Sequence, residues 1–216
     1  MNKSAVYICI EGEEGVGKTT QTHKLVEFLR NKGYKVLETK EPGTEHLPLT
    51  LALRGIMLDA KYEQSITPLA RELVSQAIRS IHFEKLIYPA LEEYDFIIQD
   101  RGILSGLAYG EACGNELDML EHFADLVCGS GYDKFNMYDK VIYLTGDINA
   151  GLNRALSSKQ EFEAGDAMEA RGATFLQTVA NNFSEMSDWF NAHKIIVDGK
   201  NIDEVFNEML KKLDLQ

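Results

Sequence analysis

Ile8-Cys9-Ile10-Glu11-Gly12-Glu13-Glu14-Gly15-Val16-Gly17-Lys18-Thr19-Thr20 is the stretch from which the rest of the chain can be read. From Gly12 to Thr19 it spells G-x-x-x-x-G-K-T. An apolar run, Val6 to Ile10, precedes it, and apolar residues at helical spacing, Leu25, Val26 and Leu29, follow. The motif carries meaning only between a strand and a helix, and both patterns are in place. Gly12, Gly15 and Gly17 let the backbone curl so that successive N–H groups of Glu13, Glu14, Val16 and their neighbours face inward. With the positive end of the helix that opens at Lys18, Thr19 and Thr20, they make an anion site. Lys18 supplies a point charge for outer phosphates, and the Thr19 hydroxyl is suited to ligate Mg2+. The whole stretch Gly12 to Thr20 implies a nucleoside-triphosphate site.

Outward from this loop, composition sets bounds. At 216 residues, 44% hydrophobic and 26% charged, the chain has the size and make-up of one globular domain with a sizeable core. A formal net charge of -12 argues against a general nucleic-acid or membrane-surface binder, since either needs a basic face. A small phosphorylated ligand stays compatible with it, because a local cluster of Arg and Lys suffices. No apolar signal segment opens the sequence, and no run approaches the ~20 apolar residues of a membrane helix. Cys9, Cys113 and Cys128 show no metal-ligand spacing. They read as reduced thiols of a cytoplasmic protein.

Strand and helix signals alternate along the whole chain. The first helix ends at Gly33, a suitable left-handed cap. Lys35 to Thr39 reads as a strand, His46 to Leu58 as a helix with Pro48 in its first turn. Thr67-Pro68 starts a long helix whose apolar positions run from Leu69 to Ala90. Phe96 to Gln99 and Val141 to Leu144 are short apolar runs of the kind buried in parallel sheets. Helical spacing covers Leu104 to Ala112, Leu117 to Val127 and Phe175 to Phe190. Asp147 is placed to cap one more helix. Residues Ser157 to Gly172 are small, polar and charged, the pattern of a mobile flap. Ile195 to Val197 is a last strand, and Asn201-Ile202-Asp203-Glu204 resembles a capping box. This order predicts a three-layer α/β fold: a central parallel sheet of about five strands with helices on both faces. Ligands of such sheets sit outside the carboxyl ends of the strands, which gathers the P-loop, Glu41, Asp100-Arg101 and the residues after Leu144 around one crevice.

Two further constellations carry chemistry. Asp100 at a strand end is placed to hold Mg2+, directly or through water, opposite Thr19. Arg101 offers a planar fork suited to phosphate oxygens; a surface ion pair is the plainer alternative. Ser75, Arg79 and His82 lie at i, i+4 and i+7 on one face of the long helix. That face is either a binding surface or a solvated polar stripe.

Taken together and in order, these segments resemble the thymidylate kinase family. The likeness is carried by E-G-x-E-G-x-G-K-T-T-Q, by E-P-G-T after the second strand, and by A-x-R-x-x-H in the long helix. Asp100-Arg101 with Ser105 and Tyr109, Val141-Ile142-Tyr143-Leu144, and Gly151-Leu152-Asn153-Arg154-Ala155 extend it from Tyr7 to about Leu213. The resemblance implies a single domain over residues 1–216 with a lid at about 154–172, ATP with Mg2+, a deoxypyrimidine monophosphate acceptor (dTMP by default) and a homodimer. It implies roles as well. Lys18, Thr19 and the loop amides hold the ATP phosphates, and Glu14 contacts the acceptor's 3'-hydroxyl. Arg101 binds the acceptor phosphate, while Asp100 organises Mg2+. Arg79 reads a base carbonyl. Tyr109 lies against C2' of the sugar, and Glu41, Pro42, Ser75, Ser105 and Gly106 complete the acceptor site.

The chain departs from the family at informative positions. Ser75 stands where the family has an aromatic residue, often Phe. Gly106 and Leu107 follow Ser105 where a hydroxyl or amide is usual, and Gly102 replaces the aromatic after Asp-Arg. Loss of a stacking ring costs about 1–3 kcal/mol. Either another aromatic such as Phe83 or Tyr109 compensates, or the pocket suits a bulkier or modified base. In the lid, Asp166 persists but the following arginine is Ala167, which leaves Arg154, Lys159 and Arg171 as candidates; Arg154 and Arg171 are the choice. A nucleotide-binding switch module is the remaining alternative, but N-K-x-D and D-x-x-G are both absent.

Overall fold

The computed structural model describes residues 5–129, 133–151 and 167–216. Its centre is a parallel sheet of five strands in the order β2-β3-β1-β4-β5. These are β1 Val6–Gly12, β2 Val36–Lys40, β3 Phe96–Asp100, β4 Lys140–Thr145 and β5 His193–Ile196. β1 lies between β3 and β4, with Ile8 opposite Ile98 on one side and Ile10 opposite Ile142 on the other.

Helices cover both faces, so the middles of the inner strands are buried on both sides and read as apolar runs. Alternate residues serve alternate layers. Tyr7, Cys9, Ile97, Val141 and Tyr143 pack with Leu104, Leu107, Leu120 and Phe183 on one face. Ile8, Ile10, Ile98, Ile142, Leu144 and Ile195 pack with Leu25, Leu29, Val205 and Met209 on the other. The first layer is supplied by α4 Tyr88–Glu93, α5 Ile103–Ala112, α6 Leu117–Cys128 and α7 Ala173–Met186. The second is supplied by α1 Lys18–Asn31 and α8 Ile202–Lys212. α2 Pro48–Leu58 and α3 Pro68–His82 pack on each other beyond the β2 edge. The three cysteines are free thiols.

The termini of the helices follow local chemistry. Asn201 accepts from the N–H groups of Asp203 and Glu204 while Glu204 reaches back to the Asn201 N–H, a complete capping box. Asp147 Oδ1 accepts from Ala150 N at 2.7 Å. The expected long helix from Pro68 to Ala90 is present and runs on to Glu93, but its hydrogen bonding shifts partway. α3 ends at His82, Phe83–Ile87 form one π turn, and α4 follows. Pro89 is the physical reason: it has no N–H to donate, and its ring displaces the carbonyl four residues earlier, widening the turn. The expected flap falls largely outside the described residues. Its last part, Ala167 and Met168, is buried, with Ala167 N donating to Leu58 O at the end of α2.

Candidate functional site

The glycine-rich loop joins β1 to α1 at the carboxyl end of the sheet. Gly15 has φ +71, and a Cβ there would strike the backbone of Gly151, so only glycine fits. Lys18 is buried and donates through Nζ to the Glu13 carbonyl. Burial, with Arg101 nearby, lowers its pKa to about 8. Glu13 Oε1 accepts from the hydroxyls of Tyr143 and Thr145, the latter at 3.0 Å. This ties the loop to the end of β4.

Thr19 Oγ1 donates to Asp100 Oδ2 at 2.6 Å. Asp100 Oδ1 is buried and has no hydrogen-bond partner among the described residues, a costly situation that a cation relieves. A hydroxyl beside an unsatisfied carboxylate oxygen is a donor set that fits Mg2+, a hard ion that keeps most of its shell as water and phosphate oxygens. No cluster of three or more His, Cys, Asp or Glu that could hold a metal occurs among the described residues. Phosphate and water would therefore have to complete the shell.

Arg101 leaves β3 with φ +62, a left-handed conformation that costs a non-glycine residue about 1–2 kcal/mol. Its guanidinium reaches back to the loop. Nη1 donates to Gly12 O at 2.9 Å and to Ser105 Oγ at 3.2 Å, and Nη2 pairs with Glu14 Oε2 at 2.6 Å. The Tyr109 ring lies 5.4 Å from the guanidinium carbon. Arg101 thus joins the donor loop to the neighbouring cavity.

That cavity has a volume of about 790 Å3, within the range of small-molecule sites. All nine residues assigned to the acceptor line it: Glu14, Glu41, Pro42, Ser75, Arg79, Arg101, Ser105, Gly106 and Tyr109. Arg79 and His82 are not a solvated stripe. Both are buried on Glu41, with Arg79 Nε to Oε2 at 2.9 Å and His82 Nδ1 to Oε1 at 3.1 Å. His82 Nε2 lies 2.8 Å from Thr39 Oγ1, which ties α3 to β2. Burial alone would raise the Glu41 pKa, but Arg79 and His82 outweigh it and hold the carboxyl down at about 2.

This cluster makes a stability prediction. The folded pKa of Glu41 lies below its ordinary 4.5, so its contribution is present above that value and is lost as pH falls toward 2. Glu41→Ala leaves Arg79 buried without its main partner. The expected loss at pH 7 is about 3–5 kcal/mol by urea unfolding. The difference from wild type should narrow between pH 4.5 and 2; a gap unchanged across that window would contradict the assignment.

Two of the departures from the family pattern, Gly102 and Gly106, have structural explanations. A Cβ on Gly102 would collide with the Tyr138 hydroxyl, so Tyr138 fills the place of the missing side chain. Tyr138 also accepts from Ile103 N at 3.1 Å. A Cβ on Gly106 would collide with the guanidinium of Arg79, which lies directly on that glycine. Phe83 does not compensate for Ser75: it is fully buried in the core, stacked between His82 and Tyr88.

Of the lid candidates, Arg154 and Lys159 lie outside the described residues, as does Asp166. Arg171 pairs with Glu63, Nη2 to Oε1 at 2.6 Å, and sits over the Phe175 ring.

Three site residues had not been singled out. Glu11, fully buried, accepts from the N–H groups of Gly102 and Ser105 at 2.8 and 3.1 Å and from the Ser105 hydroxyl. It anchors the start of α5; an acidic residue directly after the apolar run Ile8-Cys9-Ile10 was the available signal. Gln76 donates to Glu72 and accepts from Arg79 Nη1 at 3.2 Å, bridging the two. Glu72 itself lines the cavity.

With this geometry in view, comparison with known proteins is informative. The family model described as thymidylate kinase matches residues 10–209. A thymidylate kinase of Synechococcus sp. (strain CC9605) is 34% identical over 188 residues, 84% of each chain. One from Geotalea daltonii is 34% identical over 203 residues, 92% of this chain and 91% of the relative. The crystal structure of thymidylate kinase from Ehrlichia chaffeensis superposes with a TM-score of 0.72 at 26% identity, covering 97% of this chain and 99% of that one. The chain belongs to the thymidylate kinase family.

Proposed function

We propose that the protein transfers the γ-phosphoryl group of ATP to a deoxypyrimidine monophosphate, with dTMP giving dTDP as the reference reaction. The observation that carries this reading is Arg101, one guanidinium bonded both to the phosphate-binding loop and to residues of the adjoining cavity. Phosphoryl transfer asks little covalent chemistry of a protein; it needs the two substrates in line and the charge of the moving group neutralised. The loop amides and Lys18 hold the ATP phosphates. Arg101 holds the acceptor phosphate where it meets them, with Ser105 and Glu14 fixing the guanidinium. Thr19 and Asp100 hold Mg2+, which supplies charge neutralisation at the phosphates when bound. Arg79 faces the base, Glu14 the 3'-hydroxyl, and Tyr109 the sugar. For the lid at about 154–172, Arg154, which lies outside the described residues, and Arg171 are assigned as the cations that would neutralise the moving group. A closing lid excludes water, which would otherwise compete as acceptor.

The single-domain reading over 1–216 is supported by one continuous sheet through the described residues. A homodimer is supported by exposed apolar side chains on the packed helices α2, α3 and α6: Leu49, Ile56, Leu69, Leu73 and Leu126. No helix among the described residues is long and apolar enough to cross a membrane.

The test is direct. Purified protein with ATP and Mg2+ should convert dTMP to dTDP, followed by coupled ADP release and by separation of the nucleotides. ADP released without any diphosphate product from dTMP or another deoxynucleotide would favour an NTP-hydrolysing switch instead.

A further inference from the structure

Four residues of α3 face the acceptor cavity or support that face: Glu72, Ser75, Gln76 and Arg79. Glu72–Ser75 and Gln76–Arg79 are spaced by three and Glu72–Gln76 and Ser75–Arg79 by four, so the set lies along one side of the helix. Arg79, taken above to face the base, stands at one end. Ser75 is in the middle, where a small side chain leaves the way open. Glu72 stands at the other end, seven residues or roughly 10 Å along the axis.

Glu72 is 5% exposed, yet only one of its oxygens is satisfied by the protein. Oε1 accepts from Gln76 Nε2. Oε2 has no hydrogen-bond partner among the described residues, and it lies beside Gly110 of α5, 3.2 Å from where a Cβ of that residue would be. An oxygen at the wall of a cavity with no protein donor is the atom that a donor on a bound ligand would meet. Burial pushes its pKa up, with the Arg79 charge and the Gln76 hydrogen bond acting against that. The Gln76 amide is fixed at both ends, its NH2 on Glu72 and its oxygen on Arg79. The carboxylate is therefore held in place and aimed, and no cation pairs with it in a salt bridge among the described residues.

The two small residues near this path are not equivalent. The room at Gly106 is already taken by the guanidinium of Arg79. Ser75, between Arg79 and Glu72 on the helix, lines the cavity with a small side chain. A base seated against Arg79 can then extend a substituent over Ser75 toward Glu72 Oε2.

Resting on the kinase reading above, we infer that Glu72 is a specificity-determining residue that accepts a hydrogen bond from a donor group on the acceptor's base, so that the enzyme favours deoxynucleotides carrying such a donor over dTMP. The shared chemistry is an N–H or O–H reaching past the edge of the ring. Two sources would provide it, a hydroxymethyl group at C5 or an exocyclic amine, and the thymine methyl provides neither.

The experiment compares kcat/KM for dTMP, 5-hydroxymethyl-dUMP and dCMP with ATP and Mg2+, in the wild type, Glu72→Leu, Glu72→Gln and Ser75→Phe. The expected result is at least a tenfold preference of the wild type for one donor-bearing acceptor. The hydroxymethyl arm identifies a hydroxyl as the source and the dCMP arm an amine. Glu72→Leu should lower the ratio of that acceptor to dTMP by about 10- to 100-fold, the range of a hydrogen bond to a charged group. Glu72→Gln keeps an acceptor oxygen and should fall between. Ser75→Phe, which blocks the path without touching the carboxylate, should lower the same ratio, and it serves as the test if Glu72→Leu does not fold. A purely structural Glu72 would move all acceptors together and leave the ratio unchanged. That outcome, or a wild type that prefers dTMP to both other acceptors, overturns the inference while leaving dTMP phosphorylation intact. No turnover of any acceptor overturns this inference and the kinase reading together.

Discussion

Lys18→Ala is expected to lower the rate of phosphoryl transfer by about 10³-fold or more, with the fold unchanged. The side chain is the loop's own cation, buried at 6% exposure, and its replacement leaves the phosphate charge to backbone N–H groups alone. Stability should not suffer in proportion. Burial and Arg101 depress the Lys18 pKa to about 8, below its ordinary 10.5, so the surroundings disfavour the charged form that alanine removes. What the variant loses is one hydrogen bond to the Glu13 carbonyl. Steady-state kinetics with dTMP, beside a thermal melt followed by circular dichroism, separates the two effects. Wild-type turnover in a folded Lys18→Ala protein would remove the loop from the mechanism. A collapsed melt with the residual rate intact would make Lys18 structural.

The second large effect is expected at Arg101. Arg101→Lys keeps the charge but not the fork, and a single ammonium cannot serve Gly12 O, Ser105 and Glu14 together. The expected fall in kcat/KM for the acceptor is about 10²-fold for lysine and about 10³-fold for alanine, on the scale of removing a preorganised charge from a phosphoryl-transfer site. KM for ATP should change much less than KM for the acceptor, because the loop amides and Lys18 remain. Equal changes in both KM values would show that Arg101 acts by holding the loop in shape. The left-handed backbone at Arg101 sharpens the comparison, since lysine meets the same steric cost as arginine there and the difference between them reports the side chain alone.

The donor side was legible because its signals are local. A loop that must curl needs glycines at fixed offsets, and strands buried on both faces announce themselves as apolar runs, as Val6 to Ile10 and Val141 to Leu144 do. The residues assigned to the acceptor from the sequence all line one cavity, but their contacts were not legible. Glu72 and Gln76 look like ordinary solvated positions of a helix; that they are buried depends on α5 and α6 packing across them, which no spacing within α3 records. Tyr138 comes from a loop 36 residues beyond Gly102, so its filling of that space is invisible to any local reading. The π turn after His82 was masked because apolar spacing continues through it, and Pro89 inside the run was the residue that pointed to it.

The glycines beside the cavity also bear on how this chain can change over generations. Neither Gly102 nor Gly106 has a positive φ, so the backbone alone does not demand glycine at either position. Each is held by a side chain from elsewhere: Tyr138 presses on the first and Arg79 on the second. Restoring a larger residue at either place by one substitution meets a collision, and removing Tyr138 or Arg79 first opens a gap or strands Glu41. The viable routes back to the family's usual pattern therefore pass through paired changes. The pocket's divergence is held by epistasis, and an ancestor would have had to shift the two members of each pair nearly together.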